Sequence, residues 1–452
     1  MEKFGKHIHF LGIGGISQSA LAQIFFSLGF KVTGSDIKNS HIIDNLVSIG
    51  IEIDINTISN HIKSADTIVF TSAIKENDQE LCLAKQLNKQ ILTRSQALGE
   101  LASSYQHVIS VAGSHGKTTT TGMIAKIFVE AKLDPTVHIG GELDFINGNV
   151  RVGGKGFFIT EACEYYDSFL SLKSDVSVIL NIQKDHLDYF KNINNIKKSF
   201  KKFAANTKNE GIVIYSGDDL NIKQINKKNI SFSLNNNGIL VAKNIQEYKK
   251  GRFAFDVYFL GVKLFRIKLS VYGKHNIANA LAAISVALYY GIDLKIIKKA
   301  LIEFTGASRR FQIYGNVKGI KVIHDYAHHP TEIKASIEIA KKITKGKLFV
   351  CFQPHTYSRT LSLIGEFKKC FNQADELLIY KVYSAREKEY QGLNHLDLAK
   401  NVIKYNQNVY TFEDYKTMKK HLLSKAIKDD LILVLGAGDI ENFANFICRQ
   451  KD

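Results

Sequence analysis

Residues 108–128 read VISVAGSHGKTTTTGMIAKIF, and no other stretch limits the possible folds as strongly. A mostly apolar run, a glycine-bounded turn and a helical pattern follow one another without a gap, which describes a strand feeding straight into a helix. Gly116, Lys117 and Thr118 form the ending of a phosphate-binding loop. In such a loop backbone amides cradle phosphate, the lysine reaches the outer phosphates and the hydroxyl ligates Mg²⁺. The usual spacing wants a glycine at position 111, where Val111 stands, and Gly113 comes instead. The amides from Gly113 through Ser114, His115 and Gly116 to Lys117 still make an anion-binding nest. The stretch therefore predicts a bound nucleotide triphosphate.

Apolar β-rich runs alternate with amphipathic helical runs along all 452 residues, the pattern of parallel α/β domains. That length exceeds one core, so two to four domains are expected. Motif restarts divide the chain at 1–104, 105–305 and 306–452. The three prolines stand at 135, 330 and 354, and the last two abut histidines in HHPTE and QPHTYSRT just after apolar strands. Each is expected to fix a loop leaving the carboxyl end of a strand, the edge where open α/β sheets bind ligands. The five cysteines are scattered and form no C-x-x-C pair, which argues against zinc or a disulfide framework.

A formal charge of +17 raises the question of nucleic acid, but only nine of the sixty basic residues are Arg. Base readout favours clustered Arg, so neither a nucleic-acid partner nor a membrane is expected. No signal peptide and no run of about 18 apolar residues is evident, and a cytoplasmic location is the expectation.

The opening strand runs into GIGGIS, with Gly12, Gly14 and Gly15 but Ser17 in place of the third fingerprint glycine. The turn suits a diphosphate at a helix N-terminus, and Ser17 can cap that helix or donate to phosphate. Asp36, after the second strand, stands where an acid would meet a ribose hydroxyl. A ligand-free tight turn is the alternative. In KGFFITEACEYYDSF, Glu161 ends a strand beside the phosphate loop, where an acid would hold Mg²⁺. The strand in VSVILNIQKDHLDYF delivers Asp185, His186 and Asp188 in the same way, with His186 either a ligand or a structural residue. Asn276 and Asn279 lie one turn apart at a helix start and either read adenine or cap the helix.

Together GSHGKTTTT, TEACEYYDSFL, GASRRFQ, HDYAHHPTEI and FQPHTYSRT resemble the motifs of the Mur ligase family, the ATP-dependent amide-forming enzymes of peptidoglycan precursor synthesis. The resemblance spans essentially the whole chain. It implies a Rossmann-like N-terminal domain for a UDP-sugar, a central P-loop ATPase-type domain and a Rossmann-like C-terminal domain that closes over both. It also implies ATP and Mg²⁺ as cofactors, UDP-N-acetylmuramate and L-alanine as substrates, and a monomer or homodimer.

By the resemblance, Gly113 to Thr119, including Thr119 itself, hold the phosphates, while Thr118, Glu161 and His186 serve the metal positions. His275, Asn276 and Asn279 contact adenine, and Arg310 and Asp325 close onto ATP. Tyr326, His328, His329, His355 and Arg359 form the alanine and acyl-phosphate pocket, one of the histidines taking the proton of the incoming amine. Gly12, Gly14, Gly15, Ser17, Asp36 and Ser72 contact the UDP portion. Two other readings remain at this stage: a related ligase adding a tripeptide to the same sugar, and a nucleotide-switched binding protein without turnover. A dehydrogenase fits poorly, because the glycine fingerprint is broken and the ATP loop is present.

Overall fold

The computed structural model describes residues 1–71, 73–222, 225–385, 387 and 394–449. Its strands fall into three sheets. The first holds β1 (His7–Leu11), β2 (Lys31–Asp36), β3 (Glu52–Ile55), β4 (Thr67–Phe70) and β5 (Gln90–Thr93) in the order β3-β2-β1-β4-β5. All its pairings are parallel. The order reverses beside β1, so the Gly12–Gly15 turn leaves the sheet at its switch point, where a crevice opens. Gly12 takes φ 72°, a left-handed conformation that glycine alone adopts without steric cost.

The second sheet has ten strands: β6 (His107–Ala112), β7 (Thr136–Leu143), β8 (Gly148–Arg151), β9 (Phe157–Glu161), β10 (Val176–Ile179), β11 (Ile212–Ser216), β12 (Asn229–Ser233), β13 (Leu240–Lys249), β14 (Arg252–Phe259) and β15 (Val262–Lys268). The order is β15-β14-β13-β12-β11-β10-β6-β9-β7-β8. Strands from β13 to β7 pair in parallel, and antiparallel hairpins finish both edges. Helix Lys117–Glu130 follows β6 and packs beside helix His275–Tyr289, whose Ala280, Ala282, Ala283 and Ala287 are fully buried. Small side chains there allow the two helices to approach closely over the apolar strands.

The third sheet comprises β16 (Gln312–Val317), β17 (Ile320–Asp325), β18 (Leu348–Phe352), β19 (Glu376–Tyr380), β20 (Val409–Phe412) and β21 (Leu431–Leu435), in the order β16-β17-β21-β18-β19-β20. Only the β16–β17 pairing is antiparallel. Strands β18 and β21 are buried throughout, as expected of parallel strands covered on both faces. Pro330 is not in a loop: it is the first residue of helix Pro330–Ile343, where its missing N–H is harmless and its φ already fits. His329 caps that helix and Glu332 answers in a capping box. Pro354 does lie in the connection after β18.

The first two sheets are joined by helix Arg94–Ala102, which packs against the segment Tyr165–Ser171. Gly99 makes this possible, since a Cβ there would lie 2.2 Å from the Ser171 carbonyl oxygen. Glycine inside a helix ordinarily costs stability relative to alanine. Here the sign should reverse: Gly99→Ala is expected to destabilise by about 1–3 kcal/mol through overpacking, read as a lower Tm in thermal unfolding.

Candidate active site

The phosphate loop is built by two glycines in conformations that side chains avoid. Gly113 has φ 149° and Gly116 has φ 86°, and a Cβ on Gly116 would meet Asn279 Oδ1 at 2.6 Å. The loop is braced from behind by Asn181, whose Oδ1 accepts from His115 N at 2.9 Å. Lys117 opens the helix and folds back over the loop. Its Nζ donates to Gly113 O at 2.5 Å and to both carboxylate oxygens of Glu164, at 2.9 and 3.1 Å. Burial opposes the lysine's charge, but the Glu164 carboxylate outweighs it and the Lys117 pKa is raised. Glu164 is itself only 2% exposed.

Glu164 leads into a second cluster. Glu164, Asp185 and His186 offer one ligand atom each within 4.8 Å of one another. His186 Nε2 lies 3.7 Å from Asp185 Oδ2 and 3.9 Å from Glu164 Oε1. The ring stacks on Tyr165, with centroids 4.3 Å apart. Burial lowers the His186 pKa, so a lone pair is available for a cation. Two carboxylates and one neutral imidazole suit a divalent ion such as Mg²⁺ or Mn²⁺. Glu161 stands apart from this group, accepting from Gly140 N at 2.7 Å. Thr118 packs close by, since a Cβ on Gly141 would meet Thr118 Cγ2 at 2.9 Å. Sequence reasoning placed Asp185 and His186 together at a strand end but missed Glu164 as their neighbour. The signal for Glu164 was a second acid three residues beyond Glu161 in the same TEACE stretch.

Asp185 reaches across to the third sheet. Arg359 Nε and Nη2 donate to Asp185 Oδ1 at 3.3 and 3.2 Å, and Nη1 donates to His355 Nδ1 at 2.9 Å. Burial would raise the Asp185 pKa, yet Arg359 and the nearby histidines hold it well below the carboxylate range. The three histidines of this region differ in their free atoms. His329 is committed at both nitrogens, to Lys184 O at 3.1 Å and Thr331 N at 3.3 Å. His355 accepts at Nδ1, so its neutral ring carries the proton on Nε2. His328 places Nδ1 3.0 Å from Tyr326 O, which requires the proton on Nδ1 and leaves the Nε2 lone pair without a partner among the described residues. Burial pushes His328 down to about 4 and His355 down to about 3, so both are neutral at pH 7.

His115 bridges the phosphate loop to helix Pro330–Ile343. Its Nδ1 lies 2.9 Å from Glu332 Oε1 and its Nε2 3.0 Å from Gln183 Oε1. Both partners are acceptors, so both nitrogens donate and the ring is an imidazolium. Burial works against this, but Glu332 prevails and the His115 pKa is raised. Between the two elements lies a cavity of about 510 Å³, within the range of small-molecule sites. His115, Gly116, Thr118 and Thr119 line one side, His275, Asn276 and Asn279 a second, and Arg310 and Asp325 a third. Asn279 donates to Asn276 Oδ1 at 2.8 Å, and Asn276 to Tyr272 O at 2.6 Å. Neither caps the helix, whose N-cap residue Lys274 supplies no side-chain bond. Asp325, accepting from Ser336 Oγ at 2.6 Å, is raised by burial to about 6. The Arg309 and Arg310 guanidinium groups both approach the Tyr326 ring, at 4.9 and 5.0 Å from its centroid.

In the first sheet, Gly14 N donates to Asp36 Oδ2 at 2.9 Å, so the acid braces the glycine turn. Ser17 does not cap: Gly15 is the N-cap residue, and Ser17 Oγ sits 3.0 Å from His138 Nε2 of β7. Ser72 lies outside the described residues.

Three sequence signatures of one family match the chain: "Mur ligase family, catalytic domain" over residues 7–106, "Mur ligase middle domain" over 111–287 and "Mur ligase, glutamate ligase domain" over 309–438. The protein named UDP-N-acetylmuramate--L-alanine ligase from Caldanaerobacter subterraneus subsp. tengcongensis is 44% identical over 97% of this chain and 96% of its own. Its namesake from Clostridium kluyveri is 44% identical over 98% of both. The crystal structure of UDP-N-acetylmuramate-alanine ligase MurC from Thermotoga maritima superposes with a TM-score of 0.84 at 28% identity, covering 98% of each chain. A murein peptide ligase from Psychrobacter arcticus gives 0.75 at 25% identity over 98% of each. This chain belongs to the Mur ligase family.

Because Glu164 is buried, removing its cation should leave an uncompensated charge. Lys117→Ala is expected to lower stability by about 3–5 kcal/mol, and adding Glu164→Gln to recover most of it. Thermal unfolding in chelator checks both, and an unchanged Tm for Lys117→Ala would mean the pair does not form in solution.

Proposed function

We propose that this chain is an ATP-dependent ligase that joins L-alanine to the carboxylate of UDP-N-acetylmuramate through an acyl phosphate. One observation carries the reading: a lysine-tipped phosphate loop, a nucleotide-sized cavity and a buried acid cluster meet an arginine and a histidine from the third sheet. Residues 1–104 bind the UDP-sugar, 105–305 bind ATP, and 306–452 close over the nucleotide and hold the amino acid. Gly12, Gly14, Gly15 and Ser17 contact the sugar nucleotide's diphosphate. The reading places the work in the cytoplasm, where ATP and sugar nucleotides are available. Among the described residues no helix is long and apolar enough to cross a membrane.

A carboxylate resists attack by an amine because oxide is a poor leaving group. An oxygen of the sugar carboxylate therefore attacks the γ-phosphorus, the bond to the bridging oxygen breaks and ADP leaves. The amine of alanine then attacks the acyl carbon, and phosphate departs with the former carboxylate oxygen. Lys117 turns from Glu164 toward the outer phosphates and meets the charge that develops there. A divalent cation held by Glu164, Asp185 and His186 would supply further neutralisation of that charge. The amides of Gly113–Lys117 orient the phosphates, while Asn276 and Asn279 face the adenine side of the cavity. Arg359 pairs with the alanine carboxylate, which takes the place of Asp185 on its fork. His328 accepts the amine proton at Nε2, being the one of the three histidines with an uncommitted lone pair and a neutral ring.

The test is phosphate release from UDP-N-acetylmuramate and ATP with a panel of acceptors. Release with L-alanine and none with a tripeptide is the expected result, and the reverse would favour the tripeptide ligase. Turnover with no acceptor despite ATP binding would favour a switched binding protein. In the same assay Arg359→Ala should raise the alanine KM at least tenfold, about what loss of a charge-assisted pair removes, with a much smaller effect on ATP.

A further inference from the structure

Arg94 is placed where a cation is electrostatically unwelcome. It is the first residue of helix Arg94–Ala102, immediately after the N-cap Thr93, whose side chain is tied to Gln96 in a capping box. A positive charge there faces the positive end of the helix dipole. Its guanidinium meets the start of a second helix as well: Nη1 donates to Ser17 Oγ at 2.9 Å, in the first turn of Ile16–Ser27. No side chain caps that helix, so its first amides depend on other partners. Two positive helix ends and a guanidinium thus converge beside the Gly12–Gly15 turn.

Among the described residues no carboxylate answers this charge. Arg94 forms no ion pair with a carboxylate among the described residues, and burial lowers its pKa. The groups around it are the Ser17 hydroxyl, the Cys163 thiol, whose pKa burial raises, and His138. Burial holds His138 neutral, down to about 4, with Arg94 adding to the effect. The Arg94 and Lys117 charges both act on Cys163, against the burial that raises its pKa. The helix that carries Arg94 is clamped by the close approach of Gly99 to Ser171, so the charge is held on a rigid mount.

We propose that Arg94 is the counter-ion for an anionic group of the sugar nucleotide, bound where these two helix starts converge. The inference rests on the sugar-nucleotide reading of the Gly12–Gly15 turn and adds to it the residue that matches the ligand's charge. Two groups of the substrate share the required chemistry, the diphosphate and the muramyl carboxylate, and the choice of ligands separates them.

The experiment is calorimetric titration of the full-length chain with UDP, UDP-N-acetylglucosamine and UDP-N-acetylmuramate, comparing wild type, Arg94→Met and Arg94→Lys. Arg94→Met should weaken binding at least tenfold, with Arg94→Lys in between, as expected for loss of a charge-assisted hydrogen bond. Weakening with all three ligands assigns the diphosphate, and weakening with UDP-N-acetylmuramate alone assigns the carboxylate. Binding of a non-hydrolysable ATP analogue should stay unchanged. The Arg94→Met Tm should equal or exceed that of the wild type, because a poorly placed cation has been removed. Wild-type affinity in Arg94→Met would overturn the proposal while leaving the sugar-nucleotide reading intact. A lower Tm with parallel loss of ATP-analogue binding would make Arg94 structural and overturn it too. Failure of the wild type to bind any of the three ligands would instead remove the sugar-nucleotide reading, and the proposal with it.

Discussion

The buried pair between Lys117 and Glu164 organises the centre of this molecule. A carboxylate with 2% exposure and a lysine folded under its own loop are both costly to bury without a partner. Each supplies the other's partner, 2.9 Å away. The same two charges suit different partners, the lysine a phosphate and the acid a divalent cation. Exchange of partners therefore leaves neither group without an opposite charge. Asp185 and Arg359 repeat the arrangement across to the third sheet, the acid suited to a metal and the arginine to an amino-acid carboxylate.

Three polar contacts join residues of different sheets' segments at the candidate sites. His115 pairs with Glu332, Arg359 with Asp185, and Ser17 with His138. Each joins groups far apart in sequence, and each includes a residue that the resemblance assigns to a ligand. Contacts of this kind can rearrange, because a substrate offers the same residues an equivalent partner. The apolar cores carry no such choice. Strands buried on both faces and the alanine-rich helix His275–Tyr289 hold the loops at fixed positions.

Much of this arrangement was legible in the sequence. The strand-turn-helix at 108–128, the glycine turn at 12–15 and the placement of histidines after β17 and β18 all follow from local pattern, since strand periodicity and glycine positions are local properties. The phosphate loop, the asparagine wall and Arg310 with Asp325 do line one cavity. Partner choice was not legible, because it depends on which side chains the tertiary fold brings together. Glu161 ends a strand and Glu164 follows three residues on, and only packing places Glu164 beside Lys117 and His186. Arg94 carries no motif that marks it in the sequence. Its importance comes from two helix starts that lie far apart in the chain and meet only in the fold. Pro330, expected in a loop, became the first residue of a helix because His329 and Glu332 supply the capping box.

The central claim is that Lys117 and Glu164 exchange each other for a phosphate and a cation. A crystal structure with Mn²⁺ and a non-hydrolysable ATP analogue, with the ion located by anomalous scattering, tests it most directly. The account predicts Lys117 Nζ within hydrogen-bond distance of an outer phosphate oxygen, and an anomalous peak ligated by Glu164. A nucleotide bound in the cavity with Lys117 still paired to Glu164, and no peak on that carboxylate, would contradict it.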